Sequence, residues 1–246
     1  MISLIAMGLL GQRPAAQTRT WTVDGLSRTA LVVIPERPQA LVLAFHGHGG
    51  NGRQAMRSFA MERHWPEAAV VYPDGLPTKT GRDPEGKRSG WQQNLGENGD
   101  RDLAFVDIIL KEVCSRYGIS AARTFAMGHS NGGRMTYLLW AERSAEFAAF
   151  GPSASTNGRL RLTAKPAFII AGQTDEVVPF AGQLRSMQAV LGVNGAKERE
   201  VPRATDGVRE TRFGGLAPTV TYVTAGGHRF AAGSAERMMA FFRSVP

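Results

Sequence analysis

Short apolar runs alternate with stretches that carry apolar residues at helical spacing along most of the chain. The runs, at residues 40–45, 69–72, 123–127, 147–150, 167–171 and 220–224, are bounded by Gly, Pro or Asp and suit strands that are buried on both faces. Helical spacing occurs at residues 52–64, 102–117, 132–143, 180–191 and 234–243. This alternation predicts an α/β fold with a mostly parallel twisted sheet.

The N-terminal region has a different pattern. Residues 21–23 and 28–34 alternate between apolar and polar positions, with Asp24 and Gly25 between them, which predicts an antiparallel hairpin. A chain of 246 residues without a linker-like stretch or a repeat predicts a single domain, which we expect to span residues 18–246.

One pentapeptide joins a predicted strand to a predicted helix. Gly128, Ser130 and Gly132 form the pattern Gly-x-Ser-x-Gly between the run that ends at Met127 and the helical stretch that follows. In a nucleophile elbow, small flanking residues let strand and helix pass closely, so the serine hydroxyl stands alone at a sharp bend. We therefore expect Ser130 to be a nucleophile.

A serine nucleophile needs a base and an acid, which follow it in the order acid, then histidine, in elbow-type hydrolases. Of the five histidines, only His228 lies after Ser130, and it follows the run 220–224. Asp175 follows the run 167–171 and is our choice of acid, with Glu176 and Asp206 as lesser alternatives. A role as a turn or helix-capping residue is the alternative for Asp175.

The oxyanion of a tetrahedral intermediate needs two backbone donors. One is expected from the amide of Asn131, directly after the nucleophile. The other is expected from the loop His46 to Gly50, with His48 as first choice and Gly49 as runner-up. No further ligand stands at metal spacing from His46 and His48, so no metal site is expected there.

The segment 75–100 is long and rich in Gly, Pro and charge, which predicts a lid or a substrate wall. Its Trp91 is expected either to contact an acyl group or to pin the loop to the domain. We also expect His129 and Phe230, next to the nucleophile and the base, to border the substrate.

The chain carries a net charge of +8, but its basic and acidic residues are interleaved, so no nucleic-acid partner is expected. Cys114 is the only cysteine, which excludes an intrachain disulfide. Residues 1–17 read as a weak or shortened signal segment, or as a lead-in to the first strand. A secreted or periplasmic protein without a membrane span is therefore expected, with a cytoplasmic location as the alternative.

Over roughly residues 28–242, the chain resembles the polyhydroxybutyrate depolymerase and feruloyl esterase group of α/β-hydrolases. The resemblance rests on the following residues: His46-Gly47, Tyr72-Pro73-Asp74-Gly75 with Trp91, Phe105-Val106-Asp107, Gly128 to Met135, Asp175 with Val178-Pro179, and Gly226-Gly227-His228. It implies an α/β-hydrolase fold with helices on both faces of the sheet. It also implies hydrolysis of carboxylic esters without a cofactor, on short polyesters or on acyl groups of plant polysaccharide.

The chain departs from this group after the base, where His228-Arg229-Phe230-Ala231 replaces the common His-Thr-Trp-Pro. This departure weakens any transfer of substrate preference from the group to this chain. A peptidase or an acyltransferase with the same three side chains remains an alternative, as does a noncatalytic binding protein of this fold, because fold alone does not choose the acyl acceptor.

Overall fold

The structure is a computed structural model that describes residues 14–198, 203–205 and 207–246. Asp206 and residues 1–13 of the expected signal segment lie outside this range. The strands are β1 (Gln17–Val23), β2 (Leu26–Val33), β3 (Ala40–Phe45), β4 (Ala68–Pro73), β5 (Leu76–Pro77), β6 (Ser89–Gly90), β7 (Thr124–His129), β8 (Ala149–Ser153), β9 (Ala167–Gly172), β10 (Lys197–Glu198), β11 (Arg203–Thr205), β12 (Val208–Gly214) and β13 (Thr219–Thr224). The helices are α1 (Gly52–Phe59), α2 (Met61–His64), α3 (Arg101–Tyr117), α4 (Asn131–Glu142), α5 (Phe180–Val193) and α6 (Ser234–Ser244).

Eleven strands form one mixed sheet, in the order β1-β2-β4-β3-β7-β8-β9-β13-β12-β10, with β11 paired to β12. The six central strands, β4 to β13 in this order, are parallel, and the pairs at both edges are antiparallel. The mostly parallel sheet is therefore confirmed. Its parallel strands all end at one edge, where the loops after β3, β7, β9 and β13 meet.

The N-terminal hairpin is also confirmed. Val23 pairs with Leu26, so the turn consists of Asp24 and Gly25 alone. Both residues have positive φ, 49° and 78°, as a two-residue hairpin turn that matches the strand twist requires.

Helices cover both faces of the sheet, because successive side chains of the central strands point to opposite sides. On one face, Leu41, Leu43 and Phe45 pack with buried residues of α3, α4 and α5. On the other, Val42 and Ala44 pack with residues of α1, α2 and α6. Strands β3, β4 and β9 are buried along their whole length, which explains their continuous apolar sequence.

Three parts of the fold differ from the expectation. The helix expected over residues 52–64 is divided into α1 and α2, because Ala60 adopts a left-handed conformation with φ 45°. The antiparallel strands β10, β11 and β12 were not predicted, since their sequence is rich in charged residues and lacks an apolar run. In addition, the strand expected over residues 147–150 is β8, which continues to Ser153 beside the elbow.

Candidate active site

Ser130 lies at the sharp turn between β7 and α4. Its backbone has φ 59° and ψ −121°, a conformation that residues other than glycine rarely adopt. The amide of Ser130 donates a hydrogen bond of 2.9 Å to the carbonyl of Ser153 on the neighbouring strand. This bond holds the turn to the edge of the sheet.

The two glycines of the elbow permit this turn by allowing close contact of backbone segments. A Cβ on Gly132 would lie 2.6 Å from the carbonyl oxygen of His46, and a Cβ on Gly128 would lie 2.9 Å from the hydroxyl oxygen of Thr136. Both distances are shorter than real Cβ atoms show. The spacing of the pentapeptide therefore has a steric origin in the crossing of β7, α4 and the loop after β3.

The structure brings Ser130, His228 and Asp175 together, although they are far apart in sequence. His228 Nε2 lies 2.8 Å from Ser130 Oγ, and His228 Nδ1 lies 2.8 Å from Asp175 Oδ2. Because an ionised carboxylate only accepts hydrogen bonds, Nδ1 is the donor to Asp175, and Nε2 is left as an acceptor for the serine hydroxyl. This is the arrangement in which an imidazole can remove the proton of a serine.

Asp175 is held by more than the imidazole. Its side chain is fully buried, Oδ1 accepts hydrogen bonds of 2.8 Å from the amides of Val177 and Val178, and Oδ2 accepts one of 2.9 Å from Gln183 Nε2. Burial alone raises the pKa of this carboxyl, but the hydrogen bonds from His228, Val178 and Val177 outweigh burial and keep the pKa below its usual value. Asp175 is therefore an ionised carboxylate that is held in position next to Nδ1 of His228. The alternative Glu176 is exposed.

His129 holds the backbone of the proposed base, His228, in place. Its Nε2 donates a hydrogen bond of 2.7 Å to the carbonyl of His228, and its Nδ1 lies 3.1 Å from Ser153 Oγ. Burial, with the nearby His228 as a second cause, lowers the pKa of His129 to about 4. The imidazole is therefore neutral near pH 7, and it lines the cavity beside Ser130 as well as holding the loop of His228.

The two candidate oxyanion donors in the loop after β3 differ in their hydrogen bonds. The amide of Gly49 donates to Ser89 O at 2.7 Å and that of Gly50 to Gly47 O at 3.0 Å. Within the described residues, the amides of His48 and Asn131 have no such acceptor. Of the two candidates in this loop, His48 therefore keeps its donor available, whereas the donor of Gly49 is engaged.

His46 and His48 fasten the same loop through their rings. His46 Nε2 accepts a hydrogen bond of 2.9 Å from the amide of Gly75, and its Nδ1 lies 2.7 Å from Gly47 O, so both ring nitrogens are engaged. Burial lowers the pKa of His46, which is therefore neutral near pH 7. His48 Nε2 lies 3.1 Å from Asp83 Oδ2, in the segment 75–100. Among the described residues, no group of three His, Cys, Asp or Glu could hold a metal ion.

Trp91 does not border the site, which corrects the expectation that its ring contacts a substrate. The side chain is fully buried against Phe45 and His46, and its indole N–H donates a hydrogen bond of 2.9 Å to His46 O. Its backbone pairs with the side chain of Asn131. Trp91 thus pins the long segment to the sheet edge, the other role expected for it.

Two cavities adjoin Ser130 and His228. The larger, of about 720 Å³, is lined by His129 and by Phe230, whose ring packs on Phe59 at 4.7 Å. The smaller, of about 480 Å³, is lined partly by the segment 75–100 and by Asn131. The structure therefore places His129 and Phe230 beside the candidate nucleophile.

Three residues around the site were missed by sequence reasoning: Asp83, Gln183 and Ser153. Asp83 and Gln183 act through other residues, and no pattern along the chain relates them to His48 and Asp175. Ser153 could have been found by extending the apolar run 147–150 to its polar end, because polar residues at the end of a buried parallel strand lie at the functional edge.

No protein-family model matches the chain. Its curated relatives include a probable feruloyl esterase C of Aspergillus niger, 26% identical over 239 residues that cover 89% of the chain and 82% of the relative. Feruloyl esterase C of Emericella nidulans is 28% identical over 213 residues, which cover 79% of the chain and 72% of the relative. The resemblance to feruloyl esterases extends over most of the chain.

Among solved structures, an acetyl xylan esterase from Aspergillus awamori superimposes with a TM-score of 0.70 at 15% identity, over 92% of the chain and 99% of that structure. The chain has the α/β-hydrolase fold. None of the helices within the described range is long and apolar enough to cross a membrane.

Proposed function

We propose that the chain is a serine-dependent carboxylic-ester hydrolase that works through an acyl-enzyme. One observation carries the proposal: a single imidazole, His228, joins a strained serine to a buried carboxylate, with 2.8 Å to Ser130 Oγ and 2.8 Å to Asp175 Oδ2. A hydroxyl with such a base can attack an ester carbonyl.

In acylation, Ser130 Oγ attacks the carbonyl carbon while its proton passes to His228 Nε2. The amides of His48 and Asn131 donate hydrogen bonds to the oxyanion, and Asp175 stabilises the imidazolium that has formed. The C–O bond to the alcohol then breaks, and the alcohol leaves with the proton from Nε2. The products of this half-reaction are the alcohol and an ester of Ser130.

In deacylation, water takes the place of the alcohol. His228 Nε2 accepts a proton from the water as its oxygen attacks the acyl carbon, and the same two amides hold the second oxyanion. The bond to Ser130 Oγ then breaks, and this oxygen receives the proton from Nε2. The acid is released, and the hydroxyl of Ser130 is free again. None of these steps uses a cofactor.

For the substrate, we propose small esters of the feruloyl, acetyl or short-polyester type. The relatives' names support the first class, and the two cavities of about 720 and 480 Å³ have the size of sites for small organic molecules. Both cavities reach Ser130, so the acid and the alcohol parts of an ester can each occupy one of them.

Rates on acetyl, butyryl, hydroxybutyryl and feruloyl esters, compared with rates on peptide anilides, test the reaction class. We expect ester hydrolysis to exceed anilide hydrolysis, and the opposite ranking would favour a peptidase. Reactions with an added alcohol at fixed water content separate a hydrolase from an acyltransferase. An acyltransferase would convert the alcohol into a new ester, whereas a hydrolase would mainly release the acid.

A fluorophosphonate probe tests the nucleophile and excludes a noncatalytic binding protein. We expect stoichiometric labelling that disappears in Ser130→Ala but persists in Ser115→Ala, an exposed serine of α3. Absence of labelling in a folded wild-type chain would contradict the proposal.

We further propose a location outside the cytoplasm. The apolar residues 1–10, followed by Ala15-Ala16-Gln17, support it as a shortened signal segment. N-terminal sequencing of the protein from culture medium or periplasm tests this. A protein that begins at Met1 and is found only with the cytoplasmic fraction would contradict it.

A further inference from the structure

Arginines dominate the charge around Ser130. Five of them line the two cavities, and no Asp or Glu lines either one. They are Arg57 and Arg229 in the larger cavity and Arg82, Arg88 and Arg134 in the smaller. None of the five forms an ion pair with a carboxylate in the part of the chain that the structure describes.

Arg134 carries the strongest signal, because it is buried and forms no ion pair among the described residues, although Glu97 is near enough to attract it. Its side chain belongs to α4, one turn after the nucleophile, and the residue is only 7% exposed. Its guanidinium donates hydrogen bonds to the carbonyl of Asn157 and, at 2.8 Å, to Asn94 Oδ1, which are both neutral acceptors. A buried cation with neutral partners only is unfavourable, and an anion in the adjoining cavity would compensate it. Burial also lowers the pKa of Arg134.

The other two arginines of the smaller cavity come from the segment 75–100. The Cδ atom of Arg88 packs on Gly49, where a Cβ would lie only 3.4 Å from it. Arg88 is thereby placed next to His48, whose amide is the proposed oxyanion donor. Arg82 reaches the opposite rim, where its guanidinium donates to the carbonyl of Val177 at 3.2 Å and to that of Glu176 at 3.4 Å.

The nearby carboxylates are engaged elsewhere. Asp83 accepts hydrogen bonds from three amides, those of Gly86, Lys87 and Arg88, and lies beside His48 Nε2. Asp175 is bound to His228. Glu97 accepts from the amides of Gln93 and Asn94 and from the Asn94 side chain. None of these three carboxylates lines the smaller cavity, so the ionic side chains that a ligand meets there are the three arginines.

We propose that the smaller cavity binds a carboxylate of the substrate, so that the enzyme prefers esters in which the acid or the alcohol part bears a second, ionised carboxyl group. The inference rests on the proposed ester hydrolysis and specifies its substrate class. A cleft lined by charge of one sign raises the encounter rate of oppositely charged ligands by about 10- to 1,000-fold. Guanidinium groups also bind carboxylates through paired hydrogen bonds.

Two matched substrate pairs test the proposal and identify the half of the ester that carries the charge. For the acid part, the p-nitrophenyl monoester of adipic acid is compared with that of adipamic acid, its neutral amide. For the alcohol part, 4-acetoxyphenylacetate is compared with 4-acetoxyphenylacetamide. Spontaneous hydrolysis is subtracted in each case, and kcat/KM is measured.

In at least one pair, we expect the anionic ester to have a kcat/KM about tenfold higher than that of the neutral ester at low salt. The difference should be smaller at an ionic strength near 1 M, because the Debye length then falls to about 3 Å. Arg82→Gln and Arg88→Gln should each reduce the preference, and the double variant should reduce it further, with Arg134 responsible for what remains. Arg37→Gln, an exposed arginine before β3, should leave the preference unchanged.

Equal kcat/KM values in both pairs, or a preference that is undiminished in the double variant, would overturn the inference while leaving ester hydrolysis intact. Absence of hydrolysis of the neutral esters and of p-nitrophenyl acetate would instead refute the proposed function. If the double variant does not fold, the wild-type ratio and its salt dependence decide the question.

Discussion

Asn131 and Trp91 are joined by two hydrogen bonds in which a side chain pairs with a backbone. Asn131 Oδ1 accepts from the Trp91 amide at 2.7 Å, and Asn131 Nδ2 donates to the Trp91 carbonyl at 3.0 Å. The residue after the candidate nucleophile thus orients the long segment 75–100 in the way that a neighbouring strand would. The same residue is the source of one proposed oxyanion donor, so the wall of the smaller cavity is fastened directly to the reaction centre.

The change Asn131→Asp tests this connection. Aspartate keeps the acceptor for the Trp91 amide but loses the donor to the Trp91 carbonyl and adds a charge at a buried position. We expect the free energy of unfolding to fall by about 2 kcal/mol or more, since a buried acceptor is left unpaired. Urea unfolding measures the loss. The exposed Asn98→Asp is the matched control, and equal stability of both variants would contradict the prediction.

Asp175→Asn should keep the fold and remove most of the activity. Asparagine Oδ1 can still accept from the amides of Val177 and Val178, so the loop after β9 is preserved. The amide group favours the wrong tautomer of His228, and we expect kcat to fall by about four orders of magnitude. Steady-state hydrolysis of p-nitrophenyl acetate measures it. The control variant Asp107→Asn alters an ion pair with Arg143 and should retain normal kcat. A similar loss of kcat in both variants would argue against Asp175 as the acid of the site.

We expect the contact between His48 and Asp83 to position the loop 46–50, which carries the proposed oxyanion donor of His48. His48→Gln removes the imidazole, and Asp83→Asn removes the negative charge of the contact. We expect each change to lower kcat by about tenfold with a smaller change in KM, because a donor that acts only on the oxyanion affects the transition state. In a double-mutant cycle, the two changes should be non-additive.

Glu85→Gln, in the same segment but fully outside this contact, serves as the control for the His48 and Asp83 variants. Additive effects on kcat, or effects confined to KM, would show that the pair is only structural.

His129 predicts a dependence of stability on pH. The unfolded chain binds a proton at this residue below about pH 6.5, whereas the folded chain, with a pKa of about 4, does not until the pH is much lower. Acidification from pH 6.5 to 4 therefore favours unfolding, by at most about 3 kcal/mol from this group.

The variant His129→Gln isolates this contribution, because glutamine can still donate to the carbonyl of His228 but does not titrate. We expect wild type to lose more stability than the variant between pH 6.5 and 4, as measured by urea unfolding at each pH. Parallel curves over this window would contradict a neutral His129 in the folded state.

Much of the architecture could be predicted because the signals are local. Continuous apolar runs identified β3, β4, β7, β9 and β13, and the turn residues Asp24 and Gly25 identified the hairpin. Strands β10 to β12 could not be found in this way, since they belong to the antiparallel end of the sheet, where one face of a strand can be polar. The break at Ala60 was equally invisible, because alanine favours a helix and only tertiary packing holds it at a positive φ.

By itself, the sequence determined the alternation of the central strands with the helices, the elbow at Ser130 and the choice of His228 by elimination, because each depends on spacing along the chain. Only the tertiary structure decided that the amide of His48, rather than that of Gly49, is available, that Trp91 is a buried pin, and that three arginines face one cavity. These features depend on distances between segments that lie tens of residues apart, and such distances arise only when the sheet forms and its loops meet at one edge.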